Sequence, residues 1–346
     1  MNLRGDIVAF FFAMKTSLIF FLSIVCSCSL WAQDTAMRVL FYNVENLFDA
    51  QDDPLKFDED FTPDGKLGHT QERYEQKQEN LSRVINAVYP NSSADLIGLC
   101  EVENKAVVDD LAGRLTGARK KSVVHYESPD QRGIDNALVY NKRKLKLVTS
   151  GLHPIDLGGE ERPTRGILYA VFNVKKSNEQ VVVFVNHWPS RYGGKEESEW
   201  KRMKASEAHR ALWSKLKTEY PEAHLISMGD FNDHPDDESL RALTTCETEA
   251  DCLVNLHANL LDNGYGTHAY KGEWGVLDQM LTSRSLLQGT DLFVNPVSGF
   301  SFKEDWMLYK SRDGEKFPSR SYGGSKYYGG FSDHLPVGVV ILKKAP

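Results

Sequence analysis

From Met37 to Leu342 the chain repeats one device, a short β-branched or apolar run closed by a polar loop. The runs "MRVLFYNV", "DLIGLCEV", "ALVYN", "LKLVTS", "LYAVFNV", "VVVFVNH", "HLISMGD", "VLDQMLT" and "PVGVVIL" each read as a strand. Only two segments have a clear helical period. Glu72 to Tyr89 lines up Tyr74, Leu81, Val84, Ile85 and Val88, with Thr70 placed to cap its start. Glu199 to Leu216 lines up Trp200, Met203, Leu212, Trp213 and Leu216, and Pro221 follows. So many strands with so few helices predict an α/β chain of two packed sheets covered by helices, not a doubly wound parallel sheet. No linker or compositional break divides residues 35–346, which predicts a single domain.

The first 32 residues differ from the rest. An apolar stretch, Lys15, a second apolar stretch and small residues up to Trp31-Ala32 have the layout of an export signal, with the true start at Met14. Two other readings share its consequence. An uncleaved anchor would place Lys15 near mid-membrane at a cost of roughly 3 kcal/mol, and Val25-Cys26-Ser27-Cys28 resembles a lipoprotein signal. Each sends the chain to the periplasm or beyond, and no transmembrane helix is expected in the mature chain. Of five cysteines, Cys100, Cys246 and Cys252 then remain, and the last two are spaced for either a short-loop disulfide or two free thiols. No pattern for structural zinc is present. A formal charge of −7 excludes a protein that coats polyanions over its whole surface.

Chemistry is concentrated where the strands end. "FYNVEN" closes on Asn43 and Glu45 with the same side-chain parity, and "LIGLCEVEN" on Glu101. "VVVFVNHWPSR" presents His187, "LISMGDFND" Asp230 and Asn232, "GVLDQM" Asp278, and "FSDHLPV" Asp333 and His334. Singly, each reads as turn chemistry at a strand exit. Together, carboxylate and amide oxygens without thiolates suit a hard cation, Mg²⁺ or Mn²⁺ with Ca²⁺ in support, and such a cation commonly serves phosphate chemistry. Glu103, Asp233, Asp236, Asp237 and Glu238 read as solvated charge.

The ordered series "YNVEN", "LCEVEN", "NHWPS", "GDFND", "LDQM" and "SDHLPV" resembles the endonuclease/exonuclease/phosphatase superfamily over residues 38–342. That resemblance implies a four-layered α/β sandwich, two mainly antiparallel sheets flanked by helices. It implies a metal site at Glu101, Asn43, Glu45 and Asp333, although the family's usual residue at position 45 is Asp. Asp230 would orient or deprotonate the attacking water, with Asn232 on the phosphate. His187 would contact phosphate or protonate the leaving group, and Asp278 would partner His334. Asp135 is a candidate to orient His187, and Arg162, Arg165 and Arg191 are candidate phosphate contacts.

Substrate is less constrained. Residues 306–330 interleave Lys310, Arg312, Lys316, Arg320 and Lys326 with Trp306, Tyr309, Phe317, Tyr322, Tyr327 and Tyr328, a composition suited to stacking bases while holding phosphates. A secreted nuclease is therefore the first reading and implies no stable protein partner. A phosphodiesterase or phosphatase of lipid head groups or sugar and inositol phosphates is the second, and a non-catalytic metal-binding surface protein the third.

Overall fold

The computed structural model describes residues 33–344 except 160, 247–251 and 290, so the expected export segment, 1–32, lies outside the described residues. The chain begins with β1 (Gln33–Leu47), α1 (Gln71–Val88), β2 (Leu96–Val102) and α2 (Lys105–Arg114). Next come β3 (Lys121–His125), β4 (Asp135–Asn141), β5 (Leu145–His153), β6 (Ile167–Val174) and β7 (Gln180–His187). They lead to α3 (Lys195–Glu219), β8 (His224–Asp230), α4 (Glu238–Thr244) and β9 (Leu253–Asn255). A small hairpin of β10 (His268–Tyr270) and β11 (Glu273–Gly275) precedes β12 (Asp278–Ser283) and α5 (Arg284–Gln288). After the two-residue strands β13 (Leu292–Phe293) and β14 (Phe300–Ser301) come two more hairpins. These are β15 (Leu308–Lys310) with β16 (Lys316–Pro318), and β17 (Tyr322–Gly323) with β18 (Lys326–Tyr327). β19 (Val337–Lys344) follows.

Two sheets result. One runs β13-β19-β1-β2-β4-β3 with β14 also on β19, the other β5-β6-β7-β8-β12-β9. Each contains one parallel pair, β1 with β2 and β7 with β8, and is otherwise antiparallel. Three apolar clusters define four layers. Met37, Val39, Phe41, Phe172, Val183 and Met228 fill the space between the sheets. Leu40, Tyr42, Ile97 and Leu99 of the first sheet meet Leu81, Val84 and Leu111 of α1 and α2. Phe184 and Leu225 of the second sheet meet Leu212, Trp213 and Leu240 of α3 and α4. The sheets approach closely at Gly98, where an added Cβ would lie 2.6 Å from Met228 Sδ.

All nine sequence-predicted strands form, and the structure adds β3, the short strands β9–β11 and β13–β18, and the helices α2, α4 and α5; Asn104 caps α2 by accepting from the Ala106 and Val107 amides. α3 differs from expectation. It starts at Lys195, and Trp200 is 41% exposed while Arg202 is fully buried, because Arg202 Nε stands 2.7 Å from Asp233 Oδ1. Asp233 is thus an interior ion-pair partner and not solvated charge. Glu103 is buried as well and accepts the Asp49 amide at 2.7 Å. Cys246 and Cys252 are bonded, whereas Cys100 is free and buried. No helix of the described residues is long and apolar enough to cross a membrane.

Candidate active site

Strand alternation delivers most of the site. Val39 and Phe41 face the other sheet, so Asn43 takes the next inward position on β1. Val183 and Val185 are followed in the same way by His187, Ile226 and Met228 by Asp230, and Met280 is preceded by Asp278. Register then aligns them, since Asp230 pairs with His187 on one side and Asp278 on the other. The apolar runs fill the space between the sheets, and the first polar residue beyond each run stands at the same end of it.

Glu101 and Glu45 reach their places by breaking the alternation. The β1–β2 register shifts between Asn43 and Leu47, and the β2–β4 register shifts between Cys100 and Val102, which leaves Glu101 as a bulged residue. Glu101, Glu45, Asn46 and Asn232 have φ of +63°, +51°, +52° and +53°, four of the seven non-glycine residues with positive φ among those described. Such backbone costs about 1–3 kcal/mol per residue and persists where its surroundings enforce it. The turn brings the Asn46 amide onto Glu101 Oε2 at 3.0 Å and sends the Glu45 carboxylate toward α1, while the Glu45 amide donates to Asn43 Oδ1 at 3.0 Å. The equal parity expected for Asn43 and Glu45 is therefore not realised. Glu45 instead accepts from the Ser321 amide (2.7 Å) and Arg320 Nε (3.2 Å), with Lys77 Nζ 3.6 Å away.

At the centre, Asn43 Nδ2 donates to Glu101 Oε1 (3.2 Å) and Asp230 Oδ2 (3.1 Å), and Asp230 Oδ1 accepts the Asn232 amide at 2.9 Å. Both imidazoles approach the same oxygen, Asp230 Oδ2, which lies 3.8 Å from His187 Nε2 and from His334 Nε2. Their charge states differ. Burial and then the nearby Arg165 and Arg132 hold His187 well below its ordinary pKa, so it is neutral. Burial also opposes charge on His334, but Asp278, 2.7 Å from Nδ1, together with Asp230 outweighs it and raises His334 well above its ordinary value. One histidine is a neutral hydrogen-bonding group and the other a fixed cation.

The structure does not bring all the predicted residues together. Asp135 faces His125, with Nε2 and Oδ2 3.1 Å apart, and accepts the Ser128 amide at 2.8 Å, while His187 Nδ1 is buried without a partner. Asp135 is therefore not the orienting partner of His187. Arg191 is consumed by the Asn232 carbonyl (2.7 Å) and Asp237 (2.7 Å). Arg165 is buried between Asp130 and the Trp188 carbonyl, and Arg162 is exposed. Asp333 lies 2.5 Å from Arg320, so Glu45 and Asp333 share a guanidinium and Asn43 and Glu101 do not.

A divalent cation fits this donor set. Oxygen donors converge in a buried space, and the Glu45, Glu101 and Asp230 carboxyls are all raised, by burial first and, for the two glutamates, by the Asp333 carboxylate next. That strain between like charges is what a cation relieves. Asp278 Oδ1 is also buried with no partner.

Two clefts flank the centre. One of 720 Å³ opens beside Asn232 and His268 and is rimmed by Tyr192 (94% exposed), Tyr270 and Trp274. The other, of 430 Å³, lies toward Arg165 and Ser190. Of the aromatic residues expected to stack bases from 306–330, Tyr322 packs with Tyr327 and Tyr309 with Phe317, while Trp306 packs on Phe331 just beyond the segment. That segment reaches the charged centre through Arg320. His268, whose ring lies 4.6 Å from that of His334, was invisible in the sequence because it ends no long apolar run. Lys77 was hidden inside a helical pattern that reads as surface polarity.

Residues 38–344 match the model of the endonuclease/exonuclease/phosphatase family. No curated protein matches. Among solved structures, the chain is similar to an endonuclease/exonuclease/phosphatase family protein from Bacteroides thetaiotaomicron, with 16% identity, a TM-score of 0.58, and 90% of this chain and 96% of that one covered. A mannosyl-6-phosphatase from the same organism gives 15% identity and a TM-score of 0.53, covering 88% and 99%. D. rerio TDP2 complexed with a single-strand DNA product gives 14% and 0.55, covering 88% and 98%.

Proposed function

Since the chain belongs to the endonuclease/exonuclease/phosphatase family of metal-dependent phosphoester hydrolases, we propose that it is an exported, Mg²⁺-dependent phosphodiesterase that cleaves nucleic acid. The observation that carries the reading is Asp230, a buried carboxylate set between a neutral and a charged imidazole. Phosphodiester hydrolysis asks for a base on the attacking water and fixed positive charge where the phosphate oxygens gain negative charge.

Asp230 holds the water and takes its proton as the water oxygen bonds to phosphorus; the bond to the leaving oxygen breaks with its electron pair going to that oxygen, which takes a proton from solvent. The raised pKa of Asp230 makes it a better base than an exposed aspartate. Asn43 and the Asn232 amide fix its two oxygens. His334, kept protonated and in one orientation by Asp278, turns Nε2–H to the phosphate. His187 contributes a neutral donor beside Glu101, 3.7 Å away. Glu101 and Asn43 would hold the cation, which when bound withdraws charge from the phosphate oxygens. Arg320, half exposed and anchored by Glu45 and Asp333, adds a second positive group at the mouth.

The aromatic rim of the 720 Å³ cleft supports nucleic acid, because base faces stack on such rings at about 1–3 kcal/mol each. A sugar phosphate is the second reading, in line with the mannosyl-6-phosphatase of the same fold. The test is a panel of DNA, RNA, sphingomyelin, inositol phosphates and mannose 6-phosphate with Mg²⁺ and with EDTA. Mg²⁺-dependent cleavage of DNA or RNA is expected. Turnover confined to phosphomonoesters would reject the nuclease reading.

A further inference from the structure

The 430 Å³ cleft is unlike the aromatic one. Among its described lining residues, Arg132, Arg162, Arg165 and Lys201 stand against only Asp130 and Glu161. Asp130 alone receives two guanidiniums, Arg132 through Nε (3.2 Å) and an NH2 group (3.0 Å), and Arg165 through NH1 at 3.3 Å. One carboxylate cannot balance both, and Glu161 is taken by Lys201 at 2.6 Å. Arg165 is 4% exposed, and its Nε is buried with no partner. Arg162 has no acidic partner among the described residues and is open to solvent.

Placement gives this surplus charge a use. Arg165 NH2 donates to the carbonyl of Trp188, the residue after His187, at 2.8 Å, and Ser190 lines the same cleft. The carboxylates gather at the centre, whereas the cations gather one step along the surface on the Arg132 side. A polyanionic substrate carrying one phosphate to the carboxylate centre is repelled there until the charge is neutralised, and a neighbouring phosphate on the arginines offsets that repulsion.

We propose that Arg132, Arg162 and Arg165 form a subsite for a second, non-scissile phosphate next to the one being cleaved. The inference rests on the nuclease reading and deepens it. The preferred substrate is a diester with an adjoining phosphate, so a dinucleotide with an extra terminal phosphate should be cleaved in preference to one without. Arg132 and Arg162 are the ligating groups, and Arg165, with two of its nitrogens engaged, sets the position of Asp130 and hence of Arg132.

Two measurements test it. The first compares kcat/KM for TpT, pTpT and TpTp in wild type, Arg132→Gln and Arg162→Gln. The wild type should favour one terminally phosphorylated form by about tenfold or more, the size of one charge-assisted contact, and the variants should lose most of that ratio. Equal rates on all three substrates, or an undiminished ratio in both variants, would overturn the subsite. The second needs no turnover, so it separates failure of the subsite from failure of the nuclease reading. Calorimetric affinity for thymidine 3′,5′-bisphosphate should exceed that for both monophosphates in wild type and fall to the monophosphate level in Arg132→Gln. Absence of a bisphosphate advantage counts against the subsite even if nucleic acid is cleaved. A bisphosphate advantage in a protein that cleaves no nucleic acid would retain the anion site and remove the nuclease.

Discussion

His209 supplies a quantitative test of how the second sheet is held. It projects from α3 onto β8, where Nε2 meets Ser227 Oγ at 2.7 Å and the ring stands edge-on to Phe184 at 5.0 Å and 80°. Nδ1 is buried with no partner, and burial depresses the pKa to about 3. In the unfolded chain it titrates near ~6.5. Between these values the unfolded state binds a proton that the folded state refuses, so stability falls as pH falls, by about 1.4 kcal/mol per unit. Going from neutral pH to pH 5 should therefore remove about 2 kcal/mol through this residue alone. The assay is urea unfolding of wild type and His209→Gln at pH 7.5 and pH 5.0. Wild type should lose about 2 kcal/mol more than the variant across that interval, whatever other groups titrate, because their contributions cancel in the difference. Equal losses would refute the claim that the ring is held neutral in the interior.

Asp278→Asn removes the charge that keeps His334 protonated, so kcat should fall by about a hundredfold or more with little change in KM, and the alkaline limb of the pH–rate profile should move to lower pH. Asp135→Ala should leave the pH dependence of His187 unaltered, as its carboxylate serves His125, and a shifted profile would show a coupling that the geometry does not contain. Asp233→Ala should destabilise the fold by about 3–5 kcal/mol in thermal or urea unfolding by stranding the buried Arg202, and Arg202→Met in the same chain should recover part of that loss. Removal of divalent cation with EDTA should abolish turnover, and Glu101→Gln should raise the cation concentration required to restore it.

The strand-end residues were legible because alternation is a strict rule. Once Val183 and Val185 face inward, His187 must follow them, and the same holds for Met228 and Asp230. What the sequence could not show lies where that rule is suspended. Glu101 enters the site through a bulge and Glu45 leaves it through a left-handed turn, and nothing in "NVEN" or "CEVEN" marks a positive φ. Buried charge was equally opaque. Arg202, Asp233 and Lys77 lie in stretches with surface composition, and only their partners from distant segments make their burial tolerable. The Asp135 expectation rested on a loop position suggested by the family resemblance, which carries no information on the neighbouring strand β3, and it is His125 of that strand that Asp135 meets.

The position of β19 has a consequence for when the protein becomes active. It lies between β13 and β1, with β1 paired along Gln33–Lys344 through Phe41–Val337, so the first sheet stays split until Val337–Lys344 has been made. Asp333 and His334 lie just ahead of that strand. During synthesis the second sheet, whose strands lie within 145–283, has all its sequence before the first sheet can close. A chain halted before His334 therefore lacks both the interior strand β19 and the cation on Asp230. The carboxylates of the site and the imidazolium of His334 thus come together only once β19 has joined the first sheet.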